Sequence, residues 1–362
     1  MSSPHLRRSG VVALATLLAT VALVVPRPAA AAPHSGLGAV TTAEAPVFDG
    51  RHSGSAADPQ RVRDYWTPQR MRDARPADQL LRDLSPPARR GTAPQPGRQP
   101  AGTVAPVAPH RPVPAAPAAA GQSTGAGESA SDSAASDGAL AVNASASVGK
   151  VFFRNPVNGY DYVCSAATVN SASRLLVMTA GHCVHGGSGG TWMQNWTFVP
   201  RYNYGARPYG TWSAKYLTTF TAWANNSNLD RDVGFVTVRP SAAGQRVVNV
   251  VGGNGLSWNY NYQQYVTILA YPAAAPYDGG WQQYCRGTTS RPGFWPLLEN
   301  RIQLRCGFTG GSSGAPWLRN YDGSLGYVNG VMSTLNPSTG WNKSPYFDTA
   351  VYNAYASVAD RV

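Results

Sequence analysis

Short runs of apolar residues, separated by glycine, proline and asparagine, dominate the chain from Ser147 onward. β-branched and aromatic residues fill these runs and turn-forming residues bound them, which is the pattern of β-strands. The predicted strands are Val151–Phe153, Leu175–Met178, Val233–Val238, Val247–Val251, Tyr265–Leu269, Ile302–Arg305 and Leu325–Met332. A helix is predicted only at Asp348–Asp360, where Asp348 can cap the first turn and Val351 and Tyr355 share one face. Many short strands without alternating helices predict an all-β fold, an antiparallel barrel or sandwich.

The N-terminus carries a different apolar run, which follows two arginines. Arg7 and Arg8 precede the apolar stretch Val11–Val25, and small residues follow at 29–31. This order of positive, apolar and small residues is typical of a secretory signal peptide. The run is short for a membrane span and no stop-transfer segment follows it, so an uncleaved signal anchor is the less favoured alternative. The sequence predicts a signal peptide over residues 1–32, a secreted, extracellular protein and no stable membrane association.

Composition separates the next part of the chain from the rest. Residues 1–145 hold 18 of the 29 prolines but only three aromatic residues. Such a segment cannot bury enough apolar surface to offset the entropy of ordering its backbone. We therefore expect residues 33–145 to be a largely disordered pro-region, in which only Val62–Leu84 could form a helix or two and 85–145 is an extended linker. The globular domain is predicted over residues 146–362.

The charge of this predicted domain is positive but dispersed. Residues 146–362 contain 16 basic and 8 acidic residues. A protein that binds nucleic acid clusters its basic side chains on one element, whereas these arginines are scattered singly. No nucleic-acid partner is therefore expected.

The candidate chemistry of the domain centres on one histidine and one glycine-rich turn. His182 and His185 are the two histidines of the domain, and His182 lies in the motif Thr-Ala-Gly-His-Cys at 179–183. The turn at 310–316, Gly-Gly-Ser-Ser-Gly-Ala-Pro, holds the candidate serines. Asp232 is one of four carboxylates between these motifs and leads into an apolar strand. The third member of a catalytic triad needs such a buried, rigid setting.

Other kinds of site could use the same residues. A G-x-S-x-G elbow with Ser312 as nucleophile needs a histidine after the serine, and none follows His185. A subtilisin-like order would use Asp161 before His182 in an α/β fold, and the sequence lacks the helices of that fold. A zinc site that adds Cys183 to the two histidines lacks a nearby carboxylate and the usual ligand spacing. The order His, Asp, Ser is favoured, and no metal ligands are assigned.

The three motifs resemble the catalytic motifs of trypsin/chymotrypsin-like serine peptidases, in the same chain order. Within that superfamily the chain is most similar to the secreted bacterial branch that includes glutamyl endopeptidases, because of Gly149–Phe153, Ala270–Pro272 and the C-terminal helix. The resemblance covers about residues 147–362. It implies two six-stranded antiparallel β-barrels with a C-terminal helix.

The resemblance also implies a role for each motif. His182, Asp232 and Ser313 would form the catalytic triad, with Ser313 as nucleophile, His182 as general base and Asp232 fixing the imidazole. The backbone N–H groups of Gly311 and Ser313 would form the oxyanion hole.

The cysteines by themselves leave three pairings open. By resemblance, Cys164–Cys183 matches the family's bridge beside the catalytic histidine, and Cys285–Cys306 is the pair that remains. Four free thiols are not expected in an exported chain.

By resemblance to the family, five residues would contact substrate, namely Gly307, Phe308, Met332, Ser333 and Thr334. Trypsin-like enzymes carry an acidic residue at the position of Gly307, and glutamyl endopeptidases carry a histidine at that of Met332. Neither Lys/Arg nor glutamate specificity is therefore supported. Phe308, Met332 and Leu335 favour an apolar or unselective pocket.

The sequence as a whole predicts a secreted serine endopeptidase that acts through an acyl-enzyme intermediate and is made as a zymogen. Its expected partners are a protein or peptide substrate and its own propeptide. No cofactor is expected, and binding of structural calcium stays open. The alternative is a catalytically inactive, exported homologue that binds peptide or glycan through the aromatic run Trp258–Tyr262.

Overall fold

The computed structural model describes residues 38–48, 53–55, 59–82, 99–110, 144–293 and 299–362. The predicted signal peptide, residues 1–32, and most of the predicted linker, 85–145, lie outside these residues. Strands dominate the described chain and its helices are few and short. The predicted all-β fold is confirmed.

The described part of the predicted pro-region, called the pro-region below, contains short strands and helices. Its elements are β1 (Val40–Glu44), β2 (Pro46–Phe48), β3 (Ser53–Ser55), α1 (Pro59–Tyr65), α2 (Pro68–Asp73), β4 (Arg75–Pro76), α3 (Gln79–Arg82) and β5 (Gly102–Val104). Helix α2 begins where the sequence favours it, because the Thr67 side chain accepts the N–H of Arg70 and Pro68 occupies the first helical position. The helices lie mainly within the stretch Val62–Leu84, for which a helix or two was predicted.

The first half of the domain is a closed barrel of six strands. These are β6 (Val148–Arg154), β7 (Asp161–Thr168), β8 (Leu176–Thr179), β9 (Gln194–Pro200), β10 (Trp212–Phe220) and β11 (Gly234–Val238). They pair antiparallel in the order β9-β6-β7-β8-β11-β10, and β10 pairs with β9 to close the barrel. Two strands of the pro-region extend this sheet, because β1 pairs with β10 and β4 pairs with β7.

In its described residues, the second half of the domain contains eight strands. These are β12 (Gly255–Trp258), β13 (Tyr265–Ala270), β14 (Gln283–Thr288), β15 (Arg301–Arg305), β16 (Pro316–Arg319), β17 (Tyr327–Val331), β18 (Thr334–Asn336) and β19 (Trp341–Pro345). They hydrogen-bond as two sheets, one in the order β14-β13-β16-β17-β12-β5 and the other in the order β15-β19-β18. Strand β5 of the pro-region therefore forms an edge of the larger sheet.

Three helices complete the domain, α4 (Thr221–Asn226), α5 (Val247–Val251) and α6 (Thr349–Ala356). The predicted strand over Val247–Val251 is wrong, because these residues form α5. A short buried apolar run does not distinguish a strand from a helix by its pattern alone. The predicted C-terminal helix is confirmed as α6, in which the Asp348 side chain accepts the N–H groups of Ala350 and Val351. It ends at Ala356, before the predicted Asp360.

The alternation of side chains along β6 explains how the pro-region joins the domain. Val151 and Phe153 lie in the core of the barrel. Phe152, between them, faces the other side of the strand and packs in a cluster with Trp66 and Met71. Helices α1 and α2 thus cover an apolar face that the barrel strands leave on their outside.

Two disulfides join the four cysteines, as Cys164–Cys183 and Cys285–Cys306. These are the pairs that the resemblance implies. Separately, none of the helices in the described ranges has the length and apolar character that crossing a membrane requires.

Candidate active site

His182 lies in a tight turn at the end of strand β8. The strand ends at Thr179, and a 3-10 turn follows at Gly181–Cys183. Glycine at position 181 allows close packing, because a Cβ there would lie 2.9 Å from both Asp232 Oδ1 and Trp223 Cδ1. The neighbouring disulfide ties the turn to β7. The imidazole of His182 is therefore held against the carboxylate.

Asp232 is fully buried and binds His182 through both of its oxygens. Oδ1 accepts the backbone N–H of His182 at 2.7 Å, and Oδ2 lies 2.8 Å from His182 Nδ1. Oδ2 also accepts the hydroxyl of Ser333 at 2.6 Å. Burial alone would raise the pKa of Asp232, but the charge interaction with His182 and the hydrogen bonds from His182 and Ser333 outweigh it. The pKa of Asp232 is lowered, so the carboxylate stays ionised.

A buried ion pair holds the turn that carries Asp232. This residue follows the 3-10 turn Leu229–Arg231 and precedes β11. The guanidinium of Arg231 donates two hydrogen bonds to Asp348, at 2.7 and 3.2 Å. Asp348 also caps α6, so the C-terminal helix braces the turn next to the candidate aspartate.

Ser313 lies in the turn that precedes β16, close to the start of the histidine turn. Its carbonyl accepts the N–H of Ser165 in β7 at 2.7 Å. A Cβ on the following residue, Gly314, would collide with the hydroxyl of Thr179 and would lie 2.9 Å from the N atom of Ala180. The serine turn therefore packs directly against the segment that leads to His182.

His182 and Asp232 are directly hydrogen-bonded, whereas the Ser313 hydroxyl makes no hydrogen bond to either of them. His182 Nε2 and Ser313 Oγ are both buried, and neither has a hydrogen-bond partner among the described residues. Each of the two residues is only 1% exposed. The proton acceptor and the hydroxyl that a triad needs are thus both unengaged by other groups of the described chain.

Gly311 has the backbone conformation expected of an oxyanion turn. Its φ is 92°, and a Cβ there would lie 2.7 Å from the carbonyl oxygen of Tyr271, so only glycine fits. Its carbonyl accepts the hydroxyl of Ser165 at 3.0 Å, which fixes the turn. Within the described ranges, the N–H groups of Gly311 and Ser313 donate to no other group.

A buried lysine supports the loop behind this turn. Lys150 in β6 donates to the carbonyl of Gly279 at 2.8 Å. The same loop includes Ala273, whose N–H donates to the carbonyl of Gly310 at 2.6 Å. Burial lowers the pKa of Lys150 to about 8, and the negative charge of Asp278 offsets part of that decrease.

The residues expected to contact substrate surround the serine turn. Phe308 and Met332 are buried in one apolar cluster. Gly307 has a φ of 64° and open space on its Cβ side, whereas Ser333 binds Asp232. Thr334 begins β18 and accepts a hydrogen bond from Arg301 at 2.8 Å.

One group of residues in the described ranges is compact enough to hold a metal ion, namely Cys164, His182 and Cys183. Its two sulfur atoms are joined in a disulfide, so they are not available as thiolate ligands. His185 belongs to the alternative zinc site considered above. Its Nδ1 accepts the N–H of Gly187, so this nitrogen is already engaged within the protein.

Ser165 supports the turn of Gly311 and Ser313, and no sequence motif identifies it. Its N–H and hydroxyl bind the carbonyls of Ser313 and Gly311, and its hydroxyl also accepts the N–H of Tyr271. A serine within the apolar strand β7 carries no motif. Its role depends on contacts with residues more than 100 positions away in the chain.

Comparison with known proteins places this architecture among solved proteases. The crystal structure of Protease Anisep from Arthrobacter nicotinovorans is 36% identical, with a TM-score of 0.56, and the match covers 60% of this chain and 97% of that protein. The thermostable serine protease AL20, from an extremophilic microorganism, is 33% identical with a TM-score of 0.56, over 60% of this chain and 99% of that protein. No protein-family model matches the chain, and no curated protein matches it.

Proposed function

The chain belongs to the serine proteases of the trypsin/chymotrypsin fold, and from that premise we propose that it is a secreted endopeptidase using His182, Asp232 and Ser313. The observation that carries the proposal is the buried carboxylate of Asp232, which binds both the backbone N–H and Nδ1 of His182. Such a contact fixes the imidazole in one orientation and one tautomer.

In the proposed reaction His182 acts as general base and then as general acid. With Nδ1–H bound to Asp232, Nε2 is left to accept the proton of the Ser313 hydroxyl as Oγ attacks the peptide carbonyl. The protonated imidazole then gives its proton to the leaving amine, and an acyl-enzyme forms. Water, deprotonated by the same nitrogen, hydrolyses the ester. The bond between such a base and its nucleophile often tightens only when substrate binds.

The N–H groups of Gly311 and Ser313 would bind the oxyanion of the tetrahedral intermediate. The left-handed conformation at Gly311 and the hydrogen bond from Ser165 to its carbonyl support this role, because both fix the peptide planes of the turn. Loss of one such donor typically costs about 10²–10³ in rate.

The residues around Phe308 and Met332 favour a primary specificity pocket that is apolar or unselective. Phe308 and Met332 are buried together, and the Phe308 ring packs against Tyr277 with centroids 6.0 Å apart. The position of Gly307 offers no carboxylate for a basic side chain. A cleavage profile with a peptide library should therefore show enrichment of apolar residues, or none, before the cut bond.

Export and latency complete the proposal. Two disulfides are what an oxidising compartment permits, and they agree with the predicted signal peptide over 1–32. We place the end of the removed segment near residue 145, so that residues 146–362 form the mature enzyme and the pro-region is its first partner.

An inactive homologue that binds peptide or glycan is the alternative, and the aromatic run that suggested it is engaged in packing. Trp258 stacks on Tyr352 with ring centroids 4.1 Å apart, and Tyr262 packs against Tyr346. Asn259 donates to Thr349 at 2.9 Å. These contacts leave little of the run as a ligand surface.

Labelling with a fluorophosphonate separates the two functions. The reagent forms a covalent bond only with an activated serine, so the secreted chain should be labelled and Ser313→Ala should not. Ser312→Ala is the matched control, because it removes a hydroxyl from the same turn and should retain the label. The proposed function would be contradicted if Ser313→Ala were still labelled, or if the processed wild-type protein were not labelled.

A further inference from the structure

Residues 75–82 of the pro-region run along the strand that supports the serine turn. Arg75 and Pro76 pair in parallel with Tyr162 and Val163 of β7. The N–H of Ala77 then donates to the carbonyl of Val163 at 3.1 Å. The next two residues of β7 are Cys164, bridged to the histidine turn, and Ser165, which binds Ser313 and Gly311. The segment therefore enters beside the candidate triad.

The same segment contacts the turn that carries the candidate oxyanion donors. A Cβ on Gly310 would lie 2.7 Å from Pro76 Cβ and would collide with the carboxylate of Asp78. The buried Asp78 side chain thus lies against the residue that precedes Gly311. Backbone N–H groups of such a turn favour a negative charge near them.

A short turn follows at residues 77–81. The N–H groups of Leu80 and Leu81 donate to the carbonyls of Ala77 and Asp78. Leu80 and Leu81 are partly buried, each against a different core cluster of the domain. Ala77 is 0% exposed. Through Ala77 and Asp78 the segment contacts both strand β7, which supports the serine turn, and the turn itself at Gly310.

We propose that residues 75–82 are a built-in inhibitor that occupies the substrate cleft and keeps the uncut chain latent. This inference rests on the proposed endopeptidase function and identifies the first occupant of its cleft. The segment blocks access to a preformed site, rather than leaving the triad unassembled, since the contacts between His182 and Asp232 are already made.

Helices α1 and α2 anchor the inhibitor away from the cleft. Trp66 is 1% exposed, its ring lies 5.5 Å from that of Phe152, and its indole donates to the carbonyl of Asn195 at 2.6 Å. Tyr65 donates to Asp161 at 2.6 Å. Because this anchor is covalently joined to residues 75–82, it holds them at a high effective concentration over the site.

The rate of fluorophosphonate labelling of the uncut chain tests the inhibitor. The probe reaches Ser313 only in molecules whose cleft is open, so the rate is proportional to the open fraction. Full-length chains are labelled, and the uncut band is resolved from processed product on a denaturing gel. Ala77→Asp places a charge in a fully buried position and should raise the rate by about 100-fold. Ala101→Asp is the matched control at an exposed position and should leave the rate unchanged.

A milder pair of variants covers the case in which Ala77→Asp fails to fold. Asp78→Asn removes the negative charge next to the oxyanion turn and should raise the labelling rate by about tenfold. Asp73→Asn, at an exposed position of α2, is its control. A wild-type uncut band labelled as fast as both variants would overturn the inhibitor while leaving the endopeptidase intact. No label in any uncut or processed band would instead overturn the endopeptidase function, and the inhibitor with it.

Discussion

Replacement of Lys150 by methionine tests whether a charged lysine is buried behind the turn that carries Gly311 and Ser313. Lys150 is buried in β6, and its ammonium binds the carbonyl of Gly279 and lies 5.1 Å from the ring centroid of Tyr202. Methionine keeps most of the side-chain volume and removes the charge. The experiment therefore measures what it costs to keep this cation inside the folded protein.

The magnitude follows from the lowered pKa. In the folded chain the pKa of Lys150 is about 8, against an ordinary value of 10.5, chiefly because burial disfavours the charged form. Between these values the unfolded chain keeps the proton and the folded chain releases it, so stability rises with pH. The charged lysine is least favourable below pH 8, and the whole penalty is removed above pH 10.5. From pH 7 to pH 10 the expected gain in the free energy of unfolding is about 2–3 kcal/mol.

Urea unfolding at pH 7 and pH 10 measures this gain by tryptophan fluorescence. Both chains carry Ser313→Ala, so that neither can cut itself. The free energy of unfolding of wild type minus that of Lys150→Met should rise by about 2–3 kcal/mol between the two pH values, because all other titrating groups are common to both chains. A difference that changes by less than about 0.5 kcal/mol would refute a buried, charged lysine at this position.

Three further substitutions test the candidate site. Ser333→Ala removes a hydrogen bond to the buried aspartate and should lower kcat/KM on a peptide substrate by roughly 10-fold, with the fold unchanged by circular dichroism. Gly181→Ala should lower the free energy of unfolding in urea by about 1–3 kcal/mol, because its Cβ would crowd three neighbouring atoms. Gly38→Ala is the control, since its Cβ would make only an ordinary van der Waals contact, and it should change the stability little. Arg231→Met should destabilise by about 3–5 kcal/mol, since it leaves the buried Asp348 without its partner; equal stability of Arg231→Met and wild type would contradict the role of this ion pair.

The sequence predicts the parts of this protein that depend on local pattern. The strand runs around Val151 and Tyr265 and the C-terminal helix capped by Asp348 are all present in the fold. Their residue types suit strands or helices wherever they are placed. The run at Val247–Val251 is helical instead, because tertiary packing decides the conformation of an apolar segment this short.

The motifs likewise identify which residues the candidate site contains but not how it is covered. His182 and Asp232 meet as the chain order of the motifs suggests. Proline-rich composition predicts a largely disordered pro-region, yet Ala77 and Trp66 are buried against the domain. A few apolar residues suffice there because the domain supplies the other half of each contact, as Phe152 does for Trp66. Composition counts only the apolar residues that a segment carries itself.

The predicted pro-region also adds a strand to each of the two main sheets of the protease domain. Strand β1 pairs with β10 from Val40–Phe220 to Glu44–Tyr216, and β5 pairs with β12 from Val104–Leu256 to Gly102–Trp258. Cutting near residue 145 and losing both strands would leave bare backbone donors and acceptors on each half of the molecule. Maturation would then discard part of the scaffold on which the chain was assembled. An enzyme that unfolds after this cut would lack the strands against which its sheets were assembled. Its lifetime would therefore depend on its rate of unfolding.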